Sequence, residues 1–560
     1  MTPRRDLRAR DRGLPGRLSG ILVLVALLPR AALAQEPREG VVPPPVVDTI
    51  VVERADVFPP EVAQGSFLYR GMNAIHVITQ EPVIRRELLF RQGEPLDSAR
   101  IAESERILRA KRIFREIEFD TIRVDDRLAV RLRTRDGWSL KPKLKLGAAS
   151  DGTFSGTIGV NVTNLLGTGD QLYAAYDKQV DRDGVNASAN FSRPFGSALD
   201  LRGNYAGLSD GKNGNWYAGL PLRSLAAPWG LEHNGLAADQ EVIRYRDVGT
   251  VRDSTLFRRE ALLLALDATT AVAAGARGYL RAGLHGEFRG EAYSRSIDAP
   301  ASIPDSTYGA FGVFGELLQA RYWTVDRLNG FGQEDVDLGT RIRLGVNLAP
   351  SWLGYENTGI APSIGLASGS TVAGGRAFVW GAVDANALWS SDGLDSARVL
   401  VTASAGWKAA PQHATVLQVQ GGVLEGTPPG SEFDLGYTNA PRSWEPHAFV
   451  GTRGVWGTLE HRWFKFQDVL QLADIALAAF VDYGGAWYED QEARYGGNLG
   501  FGLRSGSALA SVATTGRLDV AWRFGDGVER GSSYVISLGA GFVFPRRSAP
   551  AISYKAEAPS

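Results

Sequence analysis

The stretch Val455-Trp456-Gly457-Thr458-Leu459-Glu460-His461-Arg462, with the run at 475–484, Ile475-Ala476-Leu477-Ala478-Ala479-Phe480-Val481-Asp482-Tyr483-Gly484, decides how this chain is read. Side chains alternate across a strand with period two. In the first segment Val455, Gly457 and Leu459 share one face, and Trp456, Thr458, Glu460 and Arg462 share the other. In the second, Ile475, Leu477, Ala479 and Val481 form the apolar face, opposite Ala476, Ala478, Phe480 and Asp482. Glu460 and Asp482 therefore both point away from the greasier face. Just upstream lies a loop-like run, Tyr437-Thr438-Asn439-Ala440-Pro441-Arg442-Ser443-Trp444-Glu445-Pro446.

The same texture runs from about Lys141 to Phe544. Ile158, Val160 and Val162 alternate with Thr157, Gly159 and Asn161. Val185, Ala187, Ala189 and Phe191 alternate with Asn186, Ser188 and Asn190. Leu518, Val520, Trp522 and Phe524 alternate with Arg517, Asp519, Ala521 and Arg523. A strand that crosses a bilayer needs about nine to eleven residues with one greasy face. Long polar loops at 181–184, 209–214 and 294–306 interleave the segments. Trp352, Tyr355, Trp487 and Tyr488 stand near strand ends, where aromatic girdles form. A soluble sandwich also alternates, but over a shorter length. The expected fold is mainly β, a transmembrane antiparallel β-barrel over 139–544. Glu460 and Asp482 then face its lumen, and Arg442 is expected to fold in from its loop to meet them, with Trp444 beside it.

The last strand supports this reading. Tyr534, Ile536, Leu538, Ala540, Phe542 and Phe544 line one face, and a polar tail follows at 545–560.

Ahead of the barrel the texture differs. Arg4, Arg5, Arg8, Arg10, Arg12 and Arg17 precede an apolar run at 21–28, and Ala32-Leu33-Ala34 offers small residues for cleavage before Gln35. This is the plan of a secretory signal peptide over 1–34. Residues 35–72, with Pro43-Pro44-Pro45 and Pro59-Pro60, read as a Pro-rich linker, within which 48–53 could form one short strand. Residues 73–138 read as a small α/β module: a strand at 74–79, a helix opening at Pro82, a second helix capped by Asp97 or Ser98, then two strands around the Asp125-Asp126 turn.

Composition narrows the function. With a net charge of -1 the chain lacks the basic excess of a nucleic-acid binder. It has no cysteine, which excludes disulfides, thiolate metal sites and a Cys nucleophile. The histidines at 76, 233, 285, 413, 447 and 461 are scattered, and no His-Glu-x-x-His helix or Walker loop occurs. No enzymatic activity, cofactor or metal is expected.

Several motifs carry a resemblance. Val83-Ile84-Arg85-Arg86-Glu87-Leu88, Gly93 and Arg112-Ile113-Phe114-Arg115-Glu116-Ile117 are similar to the run of a POTRA domain, the periplasmic module that precedes outer-membrane assembly barrels. Asn164-Leu165-Leu166-Gly167-Thr168-Gly169-Asp170, Phe480-Val481-Asp482-Tyr483-Gly484, and Phe449-Val450-Gly451 followed by Leu459-Glu460-His461-Arg462 resemble motifs of the BamA/TamA-type assembly factors, the bacterial surface-antigen superfamily. That family carries Arg-Gly-aromatic at the tip of a lumenal loop; here the slot reads Arg442-Ser443-Trp444. A literal Arg277-Gly278-Tyr279 runs straight into a strand-like segment and reads as a decoy.

The resemblance implies about sixteen barrel strands, and a terminal strand, with Tyr534, Ile536, Leu538, Phe542 and Phe544, that serves as an assembly signal. It implies residence in the bacterial outer membrane with the N-terminal module in the periplasm. The implied role is assistance to insertion or translocation of other proteins, with client strands received by the module's sheet edge and the barrel seam. The implied partners are outer-membrane lipid, unfolded β-rich client proteins and periplasmic accessory proteins, without nucleic acid. The alternative is a passive channel or a structural surface barrel with no client.

Overall fold

The computed structural model describes residues 44–545 apart from 125–126, 149–153, 180, 249–250, 296–304, 437–439, 470–472, 508–515, 527–533 and 541–542. The expected cleavage site at Ala32, Ala34 and Gln35, the terminal-strand residue Phe542 and the tail beyond Pro545 lie outside the described residues.

The N-terminal module is larger than its motifs suggest. Strands β1 (Thr49–Ala55), β2 (Phe114–Val124) and β3 (Arg127–Asp136) form one sheet in the order β1-β3-β2. β1 runs parallel to β3, and β2 antiparallel to it. Helices α1 (Pro60–Gln64), α2 (Phe67–Ile75), α3 (Glu81–Arg85) and α4 (Ser98–Ala110) lie between β1 and β2 in sequence. Asp97 caps α4, accepting from the backbone N–H groups of Ala99 and Arg100. Ile84, Leu108, Ile113, Phe114 and Leu132 make the main core.

Two sequence expectations are corrected here. The short strand allowed at 48–53 is β1, which supplies the sheet's third strand and turns Ile50 and Val52 toward the module's core, and residues 60–72, expected as linker, lie mostly in two helices. The strand expected at 74–79 is the end of α2 followed by irregular chain, since β1 already occupies the place beside β3. Its polar residues are held instead by Asp136. One Asp136 carboxylate oxygen accepts from the Thr79 backbone N–H at 2.7 Å and hydroxyl at 2.8 Å, and lies 3.0 Å from His76 Nε2.

From Leu140 onward the described residues form twenty strands in a single antiparallel ring, against an expectation of about sixteen. Among the described residues the first strand, Leu140–Ala148, and the last, Tyr534–Ala540, are joined at Gly147 with Ser537. Elsewhere neighbours pair along their length: Ala473–Trp487 pairs with Gly496–Ser507 from Ala473–Ser507 to Gly484–Gly496.

Polarity is inverted relative to a soluble protein. Leu144, Ile158, Leu284 and Ile536 face outward and are more than half exposed, whereas Gln418, Glu460, Asp482, Arg504 and Asp519 face inward and are buried. Among the described residues no helix is long and apolar enough to cross a membrane. Of the expected girdle residues, Trp352 is strongly exposed, but Tyr488 turns inward and donates its hydroxyl to the Tyr245 carbonyl.

The ring's interior is largely filled by its own connections. A hairpin, Tyr322–Asp326 with Gln333–Asp337, packs Leu328, Val336 and Leu338 against Phe378, Trp380, Val416 and Phe464. Phe544 joins the same cluster. This corrects the expectation that Phe544 lies on the outward face of the last strand. That strand ends at Ala540, and the chain then places the Phe544 ring among interior apolar side chains. Tyr534, Ile536 and Leu538 do face outward.

Candidate functional site

The connection between strands His413–Glu425 and Arg453–Val469 carries the candidate site. It begins with Phe433–Leu435, which pairs with Phe449–Gly451. Between those short strands the chain brings Arg442 to the inner wall. Strands Arg453–Val469, Ala473–Trp487, Gly496–Ser507 and Gly516–Gly525 are consecutive neighbours there. Inward parity puts Glu460, Arg462, Asp482, Asn498, Arg504, Arg517, Asp519 and Arg523 in one patch, each buried.

Arg442 is fully buried. Its Nε and Nη2 donate to the two carboxylate oxygens of Asp482 at 2.7 and 2.8 Å. Its backbone N–H also donates to Asp482, at 3.0 Å, and its Nη1 donates to Glu460 at 2.5 Å. The guanidinium lies 4.0 Å from the centre of the Phe480 ring. A planar fork meeting a carboxylate through two parallel bonds is the strong, directional form of an ion pair.

The acids are shared. Arg504 donates to both oxygens of Glu460 at 2.9 Å and to Asp519 at 2.6 Å. Arg462 donates to Glu460 at 2.7 Å, and Arg517 to Asp519 at 2.8 Å. Asn498 donates to Asp482 at 3.1 Å. Buried charge is tolerable only when paired and hydrogen-bonded, and here every acid meets at least one guanidinium.

Trp444 anchors the loop beside this network. Its Nε1 donates to the Gly497 carbonyl at 3.1 Å, and its ring packs with Leu435, Ala448 and Phe449. Gly496 leaves room for it: a Cβ there would stand 2.4 Å from Phe449 and 2.6 Å from Trp444. Arg523 Nε donates to the Ser443 carbonyl at 2.6 Å, and its Nη1 donates to Glu445. Ser443 is not among the described residues with positive φ; His447 and Gly436 take that conformation in this loop. The tip therefore does not require glycine where the family has it.

The structure thus brings Arg442, Trp444, Glu460 and Asp482 together. Sequence reading did not single out Arg504, Asp519 or Asn498. Asp519 was legible as a polar-face residue, but nothing in the chain told which strands would lie across from one another. Arg277 lies in the tight turn that opens strand Gly278–Arg295, which holds Gly278 and Tyr279, far from this network in sequence and in strand order.

The network also reaches the hairpin and the chain's end. Arg462 Nη1 donates to the Leu328 carbonyl at 2.9 Å. Asn329 Nδ2 donates to the Phe544 carbonyl and Asn329 Oδ1 accepts from the Phe544 N–H, both at 2.7 Å. Toward the module, Arg109 of α4 pairs with Asp335 of the hairpin, and Arg106 lies 4.6 Å from the Tyr322 ring centre. A cavity of about 420 Å³ remains among inward residues of other strands, including Arg202, Glu232, Arg281 and Glu316. Among the described residues no group of three or more His, Asp or Glu is arranged to hold a metal ion.

No family model matches the chain, and no curated protein matches it. Among solved structures it is similar to CdiB from Escherichia coli, at 10% identity with a TM-score of 0.45, covering 92% of this chain and 93% of that one. It is similar to CdiB from Acinetobacter baumannii at 10% identity and a TM-score of 0.40, covering 89% and 74%. BamA from Haemophilus ducreyi lacking POTRA domains 1-3 is also similar, at 11% identity and a TM-score of 0.35, covering 89% and 84%.

Proposed function

We propose that this chain is an outer-membrane β-barrel that assists the insertion or translocation of other β-rich proteins, with its N-terminal module in the periplasm. The observation that carries the proposal is the seam: among the described residues the first and last strands are joined at Gly147 and Ser537, whereas Ala473–Trp487 and Gly496–Ser507 pair along their length. The junction of the first and last strands is the place where an incoming strand can add to the sheet by β-augmentation.

The inverted polarity of the ring supports residence in a bilayer, and an outer membrane is where barrels of this kind reside. The module's sheet has open edges at β1 and β2, and these suit a POTRA-like receiver of client strands and of periplasmic accessory proteins. We read the protein as non-enzymatic, its work driven by the client's own folding and burial. The pinned loop, the hairpin and Phe544 fill much of the lumen, which weighs against a wide passive channel.

Crosslinking from β2 in intact cells tests the reading. Capture of nascent barrel proteins is expected. Capture of none, together with an unchanged outer-membrane proteome after depletion, would leave only a barrel without a client.

A further inference from the structure

Helix α2 has two unlike faces. Its Tyr69 is buried and stacks on Phe58 at 4.2 Å, in a small cluster with Val57 and Ala63 against which Met72 and Trp138 pack. The opposite face is open: Phe67 is 82% exposed and Ile75 68%, with Gly71 and Ala74 exposed between them. Those residues fall on one stripe at helical spacing. The helix contains no carboxylate; its single charge, Arg70, is exposed on the flank of the stripe. The module's sheet and main core are complete without this face, so it serves no fold that the described residues show.

Its position says what covers it. Trp138, on which the buried face rests, stands just before barrel residue Leu140. His76, which caps the helix's C-terminal end, has Nδ1 3.3 Å from the Ser139 hydroxyl. The Gln80 N–H donates to the Gly167 carbonyl at 2.9 Å, in the turn after the second barrel strand. A Cβ on Gly167 would meet the Ile78 carbonyl at 2.6 Å, so the chain just after α2 lies directly on that turn. On these same two strands Leu140, Leu144, Ile158 and Val160 face outward and are exposed, and Leu166 at the turn is exposed as well. Val77, itself exposed, lies 3.3 Å from where a Gly167 Cβ would stand, so the exposed end of α2 adjoins exposed Leu166 at the edge of these two strands.

We infer that the exposed face of α2 lies in the periplasmic leaflet of the bilayer, with Phe67 and Ile75 among phospholipid acyl chains and Arg70 at the level of the phosphates. This rests on the reading of the barrel as membrane-embedded. An amphipathic helix with an apolar stripe and a flanking cation is the form that binds a lipid surface. Arginine can keep its charged head in the polar layer while its stem lies along apolar surface. The helix would then fix the module against the membrane beside the first barrel strand.

The absence of cysteine makes the test direct. Single variants Phe67→Cys, Ile75→Cys, Ile158→Cys and Glu118→Cys are labelled with an environment-sensitive fluorophore, and the full chain is reconstituted into phospholipid vesicles containing acyl-brominated lipid. Quenching at Phe67→Cys and Ile75→Cys within about two-fold of that at Ile158→Cys is expected, with none at Glu118→Cys, which sits on the exposed β2 strand. Quenching at Ile158→Cys but at neither helix position would overturn the proposal and leave the barrel reading intact. No quenching at any of the three would overturn both. Shielding of the helix positions that needs added periplasmic protein would assign the face to a protein and overturn the proposal.

Discussion

Arg442 and Asp482 are joined three times, through two side-chain bonds and the arginine's own backbone N–H. The backbone bond matters because it ties the loop's path, and not only a side chain, to the barrel wall. Removing one partner of a buried ion pair leaves the other uncompensated, at a cost of about 3–5 kcal/mol. Arg442→Ala is expected to leave the barrel folded but free the 426–452 connection. The measurement is protease cleavage within that connection together with the unfolding temperature in detergent. Arg442→Lys should recover little, since an ammonium cannot fork onto Asp482 while reaching Glu460.

The Asn329 side chain holds the Phe544 backbone by two hydrogen bonds, and Phe544 lies four residues beyond Ala540, the last described residue of the final barrel strand. Neutral hydrogen bonds contribute about 1 kcal/mol each, so Asn329→Ala should raise local opening of Tyr534–Ala540 by about 30-fold. Amide hydrogen exchange of that strand reads this out, with strand Ala473–Trp487 as the unchanged reference.

Gly496→Ala tests the fit of Trp444. The added methyl would press on both Trp444 and Phe449. Overpacking of this kind costs about 1–3 kcal/mol. The expected outcome is partial release of the loop with the Arg442 contacts weakened but not lost, measured by the same protease assay as for Arg442→Ala.

His447 gives the loop a pH dependence. It lies 2.6 Å from Asp181 and 2.5 Å from Asp434, and stacks on Tyr245 at 4.3 Å. Burial opposes its charge, but the hydrogen bonds and charges of Asp181 and Asp434 outweigh burial and push the imidazole up to about 9 from 6.5. A group with a raised folded pKa contributes stability that is fully present below its unfolded value and lost as pH rises through the folded one. Loop protection should therefore be greatest at pH 6 and decline as pH approaches about 9. His447→Gln should flatten that profile.

Much of the site was legible because barrel parity is strict. Glu460 and Asp482 lie on inward positions of neighbouring strands, and a nearby loop arginine is their natural counterion. Arg504 and Asp519 complete the network through strand neighbours whose register no local pattern reveals. β1 was legible only as an optional short strand at 48–53, since the proline runs on either side of it favour extended chain whether or not a sheet partner exists. Alternation marks the barrel but does not count its strands: Trp229–Val248 and Val251–Gly275 are so long that the pattern does not say where a crossing ends. Phe544 was misplaced because parity holds only while a strand continues, and the chain is no longer in a strand at Val543.

The seam is the centre of the account, and locking it is the most direct test. Gly147→Cys with Ser537→Cys joins a pair that links described residues of the first and last strands, in a chain with no other cysteine to interfere. In cells depleted of the native protein, the oxidised double variant is expected to fold and reach the membrane yet fail to sustain outer-membrane barrel levels, with reductant restoring them. Full support of those levels with the seam covalently shut would contradict the account.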